Sequence, residues 1–253
     1  MAFNYSTPPE KEKIIDPSSQ FPCWAIGRMV MTSGPAAWVG TGSLFHPEHV
    51  LTAAHVLHGK TAGTITFAYD VGDAPGNAKR TVAILAGAVP QSYPGTPGWD
   101  IGVARLAGAY TAPHNALFNL DGQGNDRAQG LDLVRGRQPI TLCGYPGAGP
   151  VTPSEHPPVA LGHMYAKEGP PSACDFSKNN VQYRFDTRGG ESGSPMFNRP
   201  NGRYQVVGVH TNWGVADSKQ VGEGTLITDL VLAWIKRAVV NLGGAGTFIR
   251  VVA

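Results

Sequence analysis

Gly189-Gly190-Glu191-Ser192-Gly193-Ser194-Pro195 sets one serine among glycines at a point where neither a helix nor a long strand would run. Glycine reaches backbone conformations closed to other residues. Such a loop can turn tightly, bare one hydroxyl and aim successive amide N–H groups at an incoming carbonyl. A serine hydroxyl is a weak nucleophile until a base takes its proton, so the stretch requires a histidine elsewhere in the chain. Thr52-Ala53-Ala54-His55 provides one at the end of an apolar run, and Asp100-Ile101-Gly102-Val103-Ala104-Arg105-Leu106 opens another apolar run with an acid. The order is His55, Asp100, Ser192, with steps of 45 and 92 residues. It is one of three chain orders in which a serine–histidine–aspartate relay is built.

The bulk of the chain narrows the fold. Of 253 residues, 33 are glycine and 21 proline, and only 15% are charged. That punctuation disfavours long helices and favours many short strands joined by turns. A net charge of +2 with no Lys/Arg run gives no electrostatic footprint for nucleic acid, and no run of about 18 apolar residues is present to cross a membrane. Cys23, Cys143 and Cys174 are odd in number, widely spaced and form no CxxC, so they read as small buried or loop residues. His46, His49, His55 and His58 lie close together without a helical HExxH or ligand-like cysteines and carboxylates beside them. Neither metal nor cofactor is expected. Residues 1–13 are polar, end Glu10-Lys11-Glu12-Lys13 and lack the apolar core of a signal peptide. Taken literally the chain is cytoplasmic; a trimmed secreted protein would look the same.

Strands are expected at 38–45, 50–52, 64–69, 81–88, 101–106, 139–144, 159–166, 181–185, 204–210 and 224–228, a spacing that suits an all-β fold. The Gly- and Asn-containing stretch 121–130 reads as a linker between comparable halves. Residues 1–19 then form an N-terminal extension, 20–125 a first half with His55 and Asp100, and 126–253 a second half with Ser192. One helix is expected over Leu230–Val240, entered after Thr228-Asp229, with Asp229 capping its first amides and Lys236 and Arg237 near its C-terminal end.

Five pieces taken together resemble the trypsin-like serine peptidases, and within them the glutamyl endopeptidases. They are Gly42-Ser43 through His55, Asp100-Ile101-Gly102-Val103, Gly144-Tyr145-Pro146-Gly147, Asp186-Thr187 running into Gly189–Pro195, and Gly208-Val209-His210-Thr211-Asn212. The resemblance implies two six-stranded antiparallel β-barrels with a cleft between them and a C-terminal helix. It makes His55 the general base and later acid, Asp100 the holder of its tautomer, and Ser192 the residue that forms an acyl-enzyme. The amides of Gly190 and Ser192 become the oxyanion hole. Thr211 is placed to donate to the Asp100 carboxylate. A protein or peptide substrate follows. Val56 stands after His55 where disulfide-braced secreted relatives carry cysteine.

Specificity has two readings. In the glutamyl branch a histidine and a threonine bind the substrate carboxylate, and His210 and Thr187 hold those positions. Asp186, six residues before Ser192, holds the position that in the trypsin branch attracts Arg or Lys, and a desolvated acid there would repel a substrate carboxylate. The motif as a whole favours cleavage after Glu. Trp213, soon after His210, departs from a small glycine-rich wall and would narrow the pocket or reshape its rim. Glu191 stands where trypsin-type zymogens carry an aspartate that pairs with a freed amine, so an activating protease could cut near Glu12-Lys13 ahead of Ile14-Ile15. A catalytically silent relative that binds a protein in the cleft is the competing class.

Overall fold

The computed structural model describes residues 12–13, 22–68, 80–110, 117–120, 126–147, 163–184, 187–216, 219–243 and 249–252. Alternating burial drives the first half into a closed barrel. In β2 (Ile26–Ser33) Met29 and Met31 point inward while Arg28 and Val30 are half-buried, the period-2 pattern of a strand with one face on a core. With β3 (Ala36–His46), β4 (His49–Thr52), β5 (Ala62–Phe67), β6 (Arg80–Pro90) and β7 (Gly102–Leu106) it forms the order β6-β5-β2-β3-β4-β7, and β7 pairs back onto β6. Six antiparallel strands close.

The second half contains β8 (Ile140–Gly144), β9 (Tyr165–Gly169), β10 (Pro171–Asp175), β11 (Asn180–Tyr183), β12 (Pro195–Asn198), β13 (Gln205–Ala216) and β14 (Lys219–Leu226). Its sheet runs β1-β9-β8-β12-β13-β14-β11-β10, where β1 is Glu12–Lys13. Among the described residues this sheet curls as a half-barrel whose outer strands β1 and β10 do not pair with each other, rather than as a second closed ring of six. The chain ends also trade sides. β1, from the segment expected as an extension, pairs with Tyr165 and Ala166 of the second sheet. β15 (Ile249–Val252) runs parallel to Gly87–Pro90 of the first barrel.

Two helical features differ from expectation. Part of the expected linker is α2 (Asp126–Arg135), whose Leu131 and Val134 are buried in one apolar cluster with Val207. Gly130 lets it lie close: a Cβ there would press on Gln205 and Asn198, and the Gly130 carbonyl accepts the Asn198 amide at 2.9 Å. The expected C-terminal helix is α3 (Asp229–Leu242). Its buried face, including Trp234, Ile235 and Ala238, packs on β6 and β7 of the first barrel. Thr228, not Asp229, occupies the N-cap and donates its hydroxyl to Asn179 instead of a helix amide, at 2.6 Å. At the other end Arg105 donates to the Leu242 carbonyl at 2.9 Å, while Lys236 and Arg237 lie before the last turn.

A pH lever sits at the β3–β4 hairpin. His49 is buried with its Nδ1 3.0 Å from His46 Nδ1 and Arg105 paired beside it. Burial first, then these two neighbours, pushes it from 6.5 to about 4. Below 6.5 the unfolded chain takes up a proton that folded His49 refuses until about 4. Its contribution is therefore complete above 6.5 and is lost as pH falls toward 4, by roughly 1–3 kcal/mol. Urea unfolding of wild type and His49→Leu at pH 7 and pH 4.5 should show the wild type losing more stability. Parallel losses would show that His49 is not the group sensed.

Candidate active site

His55 lies in the short α1 (Ala54–Leu57), which leaves the barrel directly after β4 and is pinned by buried Ala54, Val56 and Leu57 against β6 and β7. Asp100 immediately precedes β7. Its two carboxylate oxygens do different work: Oδ2 lies 2.8 Å from His55 Nδ1, and Oδ1 accepts the His55 backbone N–H at 3.0 Å. A carboxylate only accepts, so Nδ1 carries the hydrogen and the neutral ring has its lone pair on Nε2. The His55 side chain is 36% exposed and that of Asp100 23%, which leaves the ring open on one side and its partner sheltered.

The serine loop is built from the second half but held by the first. Thr41 of β3 donates its amide to the Ser192 carbonyl at 2.8 Å and its hydroxyl to the Gly190 carbonyl at 2.9 Å, while accepting the Tyr145 amide at 3.0 Å. Thr52 donates to the Thr41 carbonyl at 2.8 Å, three residues before His55. One short chain of bonds thus fixes the loop bearing Ser192 against the strands that deliver His55.

Peptide planarity aims the loop amides. The Gly189 carbonyl accepts the Gly147 amide at 2.5 Å, and the Glu191 carbonyl accepts the Ser194 amide at 2.8 Å. In a trans peptide N–H points opposite to C=O, so the N–H groups of Gly190 and Ser192 are turned away from those anchors. Among the described residues neither has an acceptor. Gly190 holds φ at 93°, and a Cβ there would run into Gly147 and Tyr145, so only glycine suits the place. Glu191 is 2% exposed, and its carboxylate accepts the Arg188 amide at 2.7 Å while its own amide donates to the Arg188 carbonyl at 3.1 Å, bracing the turn.

The expected specificity residues divide. His210 is 3% exposed and tied by its backbone to the two residues that follow Ser192: its amide donates to the Ser194 carbonyl at 2.9 Å, and its carbonyl accepts the Gly193 amide at 2.7 Å. Its Nδ1 lies 2.5 Å from Tyr183 Oη and 3.1 Å from the Glu223 carbonyl. Thr187 is buried, and among the described residues its hydroxyl makes no hydrogen bond. Thr211 departs from expectation. Its hydroxyl donates to the Glu223 carbonyl at 3.3 Å and so has no hydrogen left for Asp100. A bulge between His210 and Asn212 swings it that way. Thr225 donates instead to the Asp100 backbone carbonyl, at 3.4 Å. Trp213 pairs across from Gly222 and is 56% exposed. Asp186 lies outside the described residues. Sequence reading missed Thr41 and Thr52 as loop anchors and Tyr183 altogether; its contact with His210 spans 27 residues and leaves no local pattern.

A closed barrel carrying a His–Asp pair, bonded to a second sheet that carries a glycine-flanked serine, is the architecture of the trypsin-like peptidase fold. Residues 40–209 match the trypsin-like peptidase domain, well over half of the chain, and the chain belongs to that family. It is 28% identical over 194 residues to the glutamyl endopeptidase of Bacillus licheniformis, a match covering 74% of this chain and 55% of that protein. The chain thus spans about half the length of this curated relative. A Glu endopeptidase solved in complex with MPD superposes with a TM-score of 0.67 at 20% identity, over 90% of this chain and 95% of that one. The protease Anisep of Arthrobacter nicotinovorans gives 0.61 at 19% identity, over 87% and 98% respectively. At these identities the superpositions speak for the fold.

Proposed function

We infer that the protein hydrolyses peptide bonds through Ser192, His55 and Asp100 and prefers glutamate on the acyl side of the cut bond. His55 Nε2 takes the Ser192 Oγ proton as Oγ attacks the carbonyl, and the N–H groups of Gly190 and Ser192 meet the developing oxyanion. His55 then hands its proton to the leaving amine, leaving an acyl-enzyme that water cleaves by the reverse relay. Asp100 stays ionised and stabilises the imidazolium. The double grip of Asp100 on His55, at 2.8 and 3.0 Å, carries this reading, because it presents a lone pair on Nε2.

The preference for Glu rests on the buried Thr187 hydroxyl, which has no partner among the described residues, together with buried His210 next to the nucleophile loop. A buried hydroxyl without a partner is costly, and a substrate carboxylate would supply the acceptor. Cleavage after Arg or Lys would need Asp186 at the pocket floor. Digestion of a denatured proteome, with the new termini sequenced, decides between them: Glu should precede most cuts, and a majority of basic residues would overturn the preference. Failure of a fluorophosphonate to label the chain would favour a silent binding module. His210→Ala should lower kcat/KM for a Glu substrate by about 10- to 100-fold, the worth of a hydrogen bond to a charged group. It should leave an unselective ester near wild type; equal losses on both would place His210 outside the pocket.

A further inference from the structure

The reading of His210 as a carboxylate donor leaves open which ring nitrogen carries the hydrogen. A neutral imidazole has one N–H, and a carboxylate can only accept. The Nδ1 edge faces two oxygens, Tyr183 Oη at 2.5 Å and the Glu223 carbonyl at 3.1 Å. A carbonyl cannot donate, so left alone with Glu223 the ring would keep its hydrogen on Nδ1 and carry its lone pair on Nε2. The phenol can donate. It is wholly buried on β11, which pairs with β14 and lies next in the sheet to the β13–β14 pair that carries His210 and Glu223. The Glu223 carbonyl already accepts from Thr211 at 3.3 Å and does not depend on the Tyr183 hydrogen.

We propose that Tyr183 is a positioning residue for acidic specificity, donating its phenolic hydrogen to His210 Nδ1 and thereby keeping the neutral ring's N–H on Nε2, the edge that a substrate carboxylate needs. The proposal rests on the Glu reading above and deepens it. The same hydroxyl serves the charged ring as well: its hydrogen turns to the Glu223 carbonyl, 3.1 Å away, and Oη accepts Nδ1–H. Burial, with the carboxylates of Glu191 and Glu223 adding to it, holds the Tyr183 proton well above the usual phenol range, so the donor persists at working pH. Glu191 and Glu223 are the acids that bear on Tyr183. The Glu223 side chain is engaged by Gln182 at 2.8 Å, and the Glu191 side chain by the Arg188 amide at 2.7 Å.

Tyr183→Phe removes the phenolic donor that faces Nδ1 and leaves the Glu223 carbonyl. The variant's ring should then bind a carboxylate only when protonated. The readout is the ratio of kcat/KM for a peptide with Glu at P1 to that for the same peptide with Gln, followed from pH 5 to 9. The ratio cancels the titration of His55, which both substrates share. In wild type it should stay high across the range. In the variant it should fall by about 10-fold or more at pH 8, mostly through KM, and recover as pH drops through the histidine range. An unchanged ratio and pH profile in the variant would overturn the role of Tyr183 while leaving the Glu reading intact. A wild type that does not distinguish Glu from Gln would overturn both. Should the variant fold poorly, 15N shifts of histidine in the intact wild-type chain give the same answer: His210 should carry its hydrogen on Nε2, and a hydrogen on Nδ1 of the neutral ring would refute the proposal.

Discussion

Replacing Ser192 with alanine is expected to lower kcat by about 10⁶-fold, with His55→Ala costing a similar factor, because neither group works without the other. The loop should survive the change. Its position depends on backbone bonds, the Thr41 amide to the Ser192 carbonyl and the Gly193 amide to the His210 carbonyl, at 2.8 and 2.7 Å. The oxyanion amides should therefore persist in Ser192→Ala and sustain a residual rate of about 10³-fold over water. Steady-state turnover on a peptide, with circular dichroism to confirm the fold, provides the check. Retention of more than about 1% of wild-type activity by either variant would mean that another nucleophile or base does the work.

Asp100→Asn is expected to cost about 10⁴-fold in kcat near neutral pH, while leaving the site's shape intact. The reason lies in the two contacts of the carboxylate. Oδ1 accepts the His55 backbone N–H at 3.0 Å, and an asparagine can keep that bond only by placing its carbonyl oxygen there. Its NH2 group is then turned toward Nδ1, where Oδ2 now sits at 2.8 Å. A donor at Nδ1 forces the hydrogen onto Nε2, and the ring can no longer accept from Ser192. Substrate affinity should change far less than kcat. Near-normal turnover of Asp100→Asn would show that another acid orients His55.

Local chemistry was legible where it repeats a local constraint. The glycines around Ser192, the acid ahead of β7 and the histidine after β4 each stand in a short string whose residues must adopt one geometry. The strings could be read without knowing their neighbours. The strands of the first barrel were mostly visible from alternation, and α3 from its apolar stripe. β2 escaped because methionine and arginine carry little strand preference, and its inward Met29 and Met31 signal only through packing. α2 escaped because Gly130, needed for close approach to Gln205, looks like a linker residue when read along the chain. β12 begins at Pro195, inside the serine motif, where proline and the flanking glycines mask the strand that follows.

Residue order along the chain singled out the candidate reacting groups: a serine between glycines, a histidine and an aspartate in the right succession, and a threonine and a histidine expected to line the pocket. Their partners were settled by folding. Thr41 reaching across to Ser192, Thr211 turning to Glu223 instead of Asp100, Tyr183 meeting His210 and β15 joining the first barrel all depend on strands distant in sequence coming to lie side by side. A single strand carries no record of which face its neighbour will present, because hydrogen-bond register and a one-residue bulge redirect side chains without altering any nearby residue type.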